Sequence, residues 1–277
     1  VALVTETPFT LALMVTLYVA LRIRSGEWRG FKAWTLLGLL LAIAVLARIA
    51  AIFFVPILLG WLYLAVRKTT RPAMVLVPLV MIGLAMLPLT LRNYQLWGHL
   101  ALSEAQFGHV FWNGNHPDHL GNFHPFKVFP IPEEVLALNN DVLITNALLR
   151  LAIQNILADP WSFVLLTVTR LREFFVFWPT ADSSVQANLL RVLSFGLIVP
   201  FALYGVVGNL RRFADLAPIY LFFVVHTGIY AVTWTMVRYR VPLDPFFILF
   251  AAYTLQQIGQ AISQRNLAVP KRQQQTI

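Results

Sequence analysis

Two arginines flank a tyrosine at Arg238-Tyr239-Arg240, directly before Pro242 and a closing apolar run. Guanidinium forks match phosphate oxygens in charge and geometry, so this tripeptide reads as a phosphate or pyrophosphate ligand. The alternative is an aromatic and basic anchor at a membrane boundary. Arg92-Asn93, where another apolar run ends, and Arg48, between two more, are cations of the same kind. Each is equally open to the blander reading of a side chain snorkelling to the interface. A second constellation is Phe111-Trp112-Asn113-Gly114-Asn115-His116-Pro117-Asp118-His119-Leu120-Gly121-Asn122. Amides and aromatic rings suit sugar hydroxyls and ring faces, which makes Asn113, Asn115 and His116 candidates for a sugar or acceptor loop. Asparagine and glycine are also ordinary loop punctuation. His116, Asp118, His119 and His124 follow no defined zinc spacing, the chain has no cysteine, and Pro117 and Pro125 break any helix that would align ligands. No metal site and no cofactor are expected from them.

The elements that must position these residues are apolar. The chain has 277 residues, 58% of them hydrophobic and only 12% charged, with a mean hydropathy of +0.70. Globular domains carry about twice that share of charge, so lipid is the solvent that suits this composition. Apolar runs at 8–21, 33–47, 50–66, 72–91, 189–210, 216–236 and 242–258 predict about seven transmembrane helices. Residues 33–66 taken as one helix would put Arg48 mid-membrane, at roughly 2.5–3.5 kcal/mol. A tight hairpin with Arg48 at the interface is cheaper. Residues 92–160 are polar and show no run long enough to cross a bilayer, and 161–178, interrupted by Arg170, Arg172 and Glu173, reads as an interfacial helix.

Basic residues set the orientation. Segments 22–32, 67–71, 211–215 and the tail with Arg265, Lys271 and Arg272 hold twelve of the 21 Lys and Arg against two acids, Glu27 and Asp215. That asymmetry places them in the cytoplasm and puts Arg48, the 92–188 loop and Arg238 outside. The basic charge is thus a topology signal, and no nucleic acid is implied. The expected organisation is four spans in 1–91, an outer loop with its interfacial helix in 92–188, three spans in 189–260 and a cytoplasmic basic tail in 261–277. The chain starts at Val1 and runs straight into an apolar segment, without the ordered regions of a signal peptide, and reads as the C-terminal part of something longer.

The order of these features resembles the bacterial members of the protein O-mannosyltransferase-like superfamily, the GT-C glycosyltransferases that include the enzyme adding aminoarabinose to lipid A. The resemblance runs from about Val4 to Ile258. It rests on Glu6 before the first span, the hairpin from Leu37-Gly38-Leu39 to Leu46-Ala47-Arg48, and Arg92-Asn93 followed by Gly98, Ser103 and Gly108. It continues through Asn113-Gly114-Asn115-His116-Pro117 and Gly121, Asp159-Pro160, and Arg238-Tyr239-Arg240-Val241-Pro242 with Pro245. Ala47 and Ile49 depart from the family, which has Thr and Pro there.

What the resemblance implies is a GT-C-like, all-α polytopic membrane protein of a bacterial inner membrane, C-terminus cytoplasmic. It implies transfer of a sugar from a polyprenyl-phosphate donor to a lipid, glycan or protein acceptor outside. Arg238, Tyr239, Arg240 and Arg92 would hold the donor phosphate. The family's catalytic acids lie in a first outer loop with no equivalent here, so the fragment alone is expected to be inactive. The rival readings are a transporter or lipid flippase, for which His226 is the one clearly ionisable group deep in a late span, and a non-catalytic assembly subunit.

Overall fold

The computed structural model describes residues 5–102, 106–181 and 183–268. Val4, Ser103, Lys271 and Arg272 fall outside them. Among the described residues the chain is all helix, with no strand. Six helices are long and apolar enough to cross a membrane: Glu6–Arg24, Ile49–Val66, Pro72–Trp97, Asp141–Ala158, Val185–Gly208 and Leu210–Val232. Five of them coincide with runs seen in the sequence. Phe31–Ala47 is apolar but shorter, at 17 residues, and the closing helix, Asp244–Ala268, is diluted by Gln256, Gln257 and Gln260.

Asp141–Ala158 corrects the expectation that 92–160 holds no long apolar helix. Its polar residues Asn146, Arg150 and Gln154 recur every fourth position and lie exposed on one face. Read linearly they interrupt every apolar run; wound at 3.6 residues per turn they form a single stripe.

Contacts divide the chain into two units. The first, residues 1–176 and 217–242, begins with α1 (Glu6–Arg24), α2 (Phe31–Ala47), α3 (Phe54–Val66) and α4 (Leu76–Trp97). Helix α2 lies between α1 and α4. Gly38 makes the second contact possible, since a Cβ there would come within 2.7 Å of the Pro78 backbone. Leu13, Leu17, Trp34, Leu37, Leu41, Leu58 and Leu62 fill the core, whereas Leu76, Leu79, Val80, Leu84, Leu87 and Leu91 of α4 are left exposed. So wide an apolar face is what lipid covers. At Arg48 the backbone turns extended (φ −148°, ψ 110°) and a 3₁₀ turn, Ile49–Phe53, leads into α3.

The polar half of this unit carries α5 (Phe107–Gly114), the short α6 (Glu133–Leu136), α7 (Asp141–Ala158) and α8 (Pro160–Phe174). Helix α5 crosses α7 backbone to backbone, because Gly108 leaves room for the Thr145 carbonyl. Trp112, Val135, Ile144, Leu148 and Ala152 form the core beneath. Asp159 stands at the α7–α8 junction and caps α8 by accepting from the Ser162 amide at 2.9 Å. The unit closes with most of α9 (Phe213–Val232) and the 3₁₀ stretch Val237–Leu243.

The second unit covers residues 177–216 and 243–277. Val185–Arg191 runs through a widened turn, Val192–Gly196, into Leu197–Gly208, which packs on Asp244–Ala268. Gly205 admits the Phe250 carbonyl, and Thr254 donates its hydroxyl to the Phe201 carbonyl at 2.8 Å.

Candidate functional site

Residues far apart in the chain meet at one end of the first unit's helices. Glu6 opens α1, Arg48 follows α2, Tyr230 sits near the end of α9, and Arg238 and Tyr239 belong to the 3₁₀ stretch beyond it. Glu6 is buried and accepts from Arg48 through one terminal guanidinium nitrogen. The other terminal nitrogen donates to the Tyr230 hydroxyl at 2.7 Å, and Nε is buried without a partner. Arg238 lies 3.8 Å from the same Glu6 oxygen, too far for a hydrogen bond, with its side chain 58% exposed. Tyr239 stands between the two arginines, its ring 4.9 Å from the Arg48 guanidinium and 5.4 Å from that of Arg238, and it stacks on Tyr230 at 4.7 Å. The Tyr239 phenol and then Glu6 hold Arg238 above its ordinary pKa.

Two guanidiniums face one carboxylate, so the cluster has a surplus positive charge, and the loosely held Arg238 carries it outward. Arg48 is fixed by Glu6 and Tyr230, whereas among the described residues Arg238 is bonded only to the Tyr239 side chain and keeps most of its own length in solvent. An incoming phosphate would find one preset cation, one movable cation and two phenols, a set suited to a tetrahedral oxyanion.

The other expected donor ligands lie elsewhere. Arg240 is buried and donates to the Val176 carbonyl at 3.3 Å, so it braces the fold under the cluster. Arg92 is exposed near the end of α4. Tyr230 was missed, because a tyrosine inside an apolar run has no local signal of its task. Glu6 and Arg48 were seen separately; nothing in the sequence paired them.

Asn113 and Asn115 serve the loop's own architecture. Asn113 donates to the His109 carbonyl at 3.0 Å and accepts from the Phe129 amide at 2.9 Å. Asn115, 3% exposed, donates to the carbonyls of Phe111 and Val232 and accepts from Arg170 at 2.7 Å. Gly114 between them must be glycine, for its Cβ would meet the Thr233 carbonyl oxygen at 1.8 Å. Arg170, one of the charges by which 161–178 reads as an interfacial helix, is wholly buried. It donates to the Ala231 and Gly114 carbonyls and to Asn115 Oδ1, under the rings of Phe123 and Phe163. Burial lowers its pKa to about 9.

The histidines divide by environment. His119 is buried and joined through Nε2 to the Asn113 carbonyl at 2.9 Å; burial drops its pKa to about 4. His116 stacks on Phe129 at 3.8 Å, accepts the Asp118 amide at Nδ1, and is lowered by partial burial. Among the described residues no group of three His, Cys, Asp or Glu is placed to hold a metal. His226 is buried among Phe9, Phe222 and Tyr230, its Nε2 2.8 Å from the Tyr239 carbonyl. A backbone partner and aromatic walls give it a packing role behind the cluster.

The chain matches no protein-family model, no curated protein and no solved structure.

Proposed function

We propose that the complete protein is a membrane glycosyltransferase that moves a sugar from a polyprenyl-phosphate donor to an acceptor at the outer face of a bacterial cytoplasmic membrane. The observation that carries this reading is the meeting of Glu6, Arg48, Tyr230, Arg238 and Tyr239, five residues from four segments, in one half-open cationic cluster at the helix ends. Such a place suits a lipid phosphate, whose chain stays among apolar helices while its charge needs cations at their ends.

In this scheme Arg48 is the preset ligand, positioned by Glu6, and Arg238 closes on the phosphate by leaving Glu6. Transfer forms a bond from the acceptor oxygen to the anomeric carbon and breaks the bond from that carbon to the phosphate oxygen. The acceptor proton goes to a general base, which the family resemblance places upstream of Glu6. The electron pair stays with the departing phosphate, whose growing charge the two guanidiniums stabilise.

The test uses the full-length protein in nanodiscs, with farnesyl phosphate as ligand. Arg238→Ala should weaken binding at least about tenfold, the usual scale for a charge-assisted bond, and lower turnover, while Arg238→Lys recovers part of both. Unchanged affinity and turnover in Arg238→Ala would reject the phosphate site.

A further inference from the structure

A second site lies in the first unit, between the α7–α8 junction and the loop after α5. A cavity of about 500 Å³ opens there, within the range of small-molecule pockets. Its inner walls are Ile156, Phe163 and Leu166. Leu120 and Trp161 also line it, 87% and 68% exposed. Leu120 is held in the left-handed region at φ 50°, which a leucine rarely adopts. The adjacent Gly121 (φ 74°) lets the loop settle on α8, with Leu165 and Ser162 as its nearest neighbours.

Three polar groups along this lining have unspent capacity. Asp159 uses Oδ1 to cap α8 and leaves Oδ2 as an acceptor. His116 accepts the Asp118 amide at Nδ1, so its neutral ring carries the proton on Nε2 and can donate. Stacking on Phe129 and edge contact with Trp112 fix that ring. Asn155 has a buried amide nitrogen with no partner, and exchanging its two amide ends presents a donor in place of an acceptor.

We propose that this cavity binds a glycosyl unit, whose ring face lies on Trp161 and whose hydroxyls bridge Asp159 and His116. An acceptor carboxylate, an imidazole donor, an amide and an exposed indole beside the apolar walls of Ile156, Phe163 and Leu166 match a pyranose, which is flat and apolar on its faces and ringed by hydroxyls. A phosphate would meet the Asp159 carboxylate and no cation along the lining. A bare hydrocarbon chain would strip water from Asp159 and His116 and return no hydrogen bond. The site is separate from the arginine cluster and holds whether or not that cluster binds a lipid phosphate.

The experiment is saturation-transfer NMR on the full chain in nanodiscs, with methyl hexopyranosides, a hexose 6-phosphate and decanol as probes. The methyl glycosides should bind and the 6-phosphate should bind at least about tenfold more weakly. Trp161→Ala and Asp159→Asn should each weaken the glycoside about tenfold or more, while Trp161→Phe stays within about threefold. Asn at 159 keeps the oxygen that caps α8, and Trp161 is exposed, so both variants preserve the fold. Arg238→Ala should leave glycoside binding unchanged. The proposal is overturned by absent saturation transfer in the wild type, by glycoside binding that survives Trp161→Ala and Asp159→Asn, by loss of it in Arg238→Ala, or by decanol competing for the same site.

Discussion

Arg48 and Arg170 are both arginines sunk among aromatic rings at helix ends, and their partners set them apart. In both, Nε is buried without a hydrogen-bond partner, and Arg48 is answered by a carboxylate and a phenol. Arg170 is answered by two backbone carbonyls and an amide oxygen, and among the described residues no carboxylate pairs with it. The carbonyls of Gly114 and Ala231 belong to the last turns of α5 and α9, where helix dipoles present negative ends. One guanidinium thus closes two helices at once. Its partners are part of the backbone and cannot be exchanged for a ligand. Those of the Arg48 cluster are side chains beside an exposed second cation, and they can.

The comparison breaks most sharply at Arg170. Arg170→Met should cost about 3–5 kcal/mol, because three buried oxygens lose their donor together. Unfolding in mild detergent, followed by loss of monodisperse protein, measures it. A variant as stable as the wild type would mean that the clamp is idle. Arg48→Met should cost less, about 3 kcal/mol, and chiefly by leaving Glu6 buried and charged. Adding Glu6→Gln should then recover most of the loss, since both charges are gone. Arg170 has no such rescue, because no second substitution removes a backbone carbonyl. A double variant no better than Arg48→Met would show that the pair is not the source of the cost.

These two arginines also mark what the sequence tells and what it hides. Hydrophobic runs locate five of the six long apolar helices, because a bilayer-length segment is a local property of the chain. Helix α7 escapes that reading because its polar positions are periodic, and linear runs do not detect a stripe. Charge asymmetry puts Arg48 and Arg238 on one side of a membrane, but it pairs neither of them with Glu6. Arg170, read as a charge in an interfacial helix, and Arg240, read as a phosphate ligand, carry no local hint of the carbonyls brought to them from positions 114, 231 and 176. Gly108 and Gly114 look like loop punctuation in sequence; each marks a place where another backbone passes too close for a Cβ.

His119 extends the Arg170 side of the comparison to a titrating group. Its Nε2–H donates to the Asn113 carbonyl, and Nδ1 is buried with no partner. Protonation would place a proton and a charge on Nδ1, in the field of Lys127 and Arg170. The folded pKa of about 4 lies below the ordinary 6.5, so the unfolded chain binds the proton first. Stability is therefore full above pH 6.5, falls as pH drops toward 4, and levels off below. The gap corresponds to at most about 3 kcal/mol. His119→Gln, whose amide still donates to Asn113, should flatten that slope. If the slope persists, the acid lability belongs to another group.

Arg238 should show the smallest effect on stability. Its side chain is mostly in solvent and its approach to Glu6 is longer than a hydrogen bond, so screening leaves that attraction little weight. Removing it leaves Glu6 still paired with Arg48. Arg238→Ala should accordingly unfold within about 0.5 kcal/mol of the wild type. A loss several times larger would make Arg238 a structural partner of Glu6 and erase the contrast between a fixed and a movable cation. A neutral effect on unfolding combined with weakened phosphate binding separates the two roles in one variant, for a residue that the fold does not need has kept its charge where a ligand can reach it.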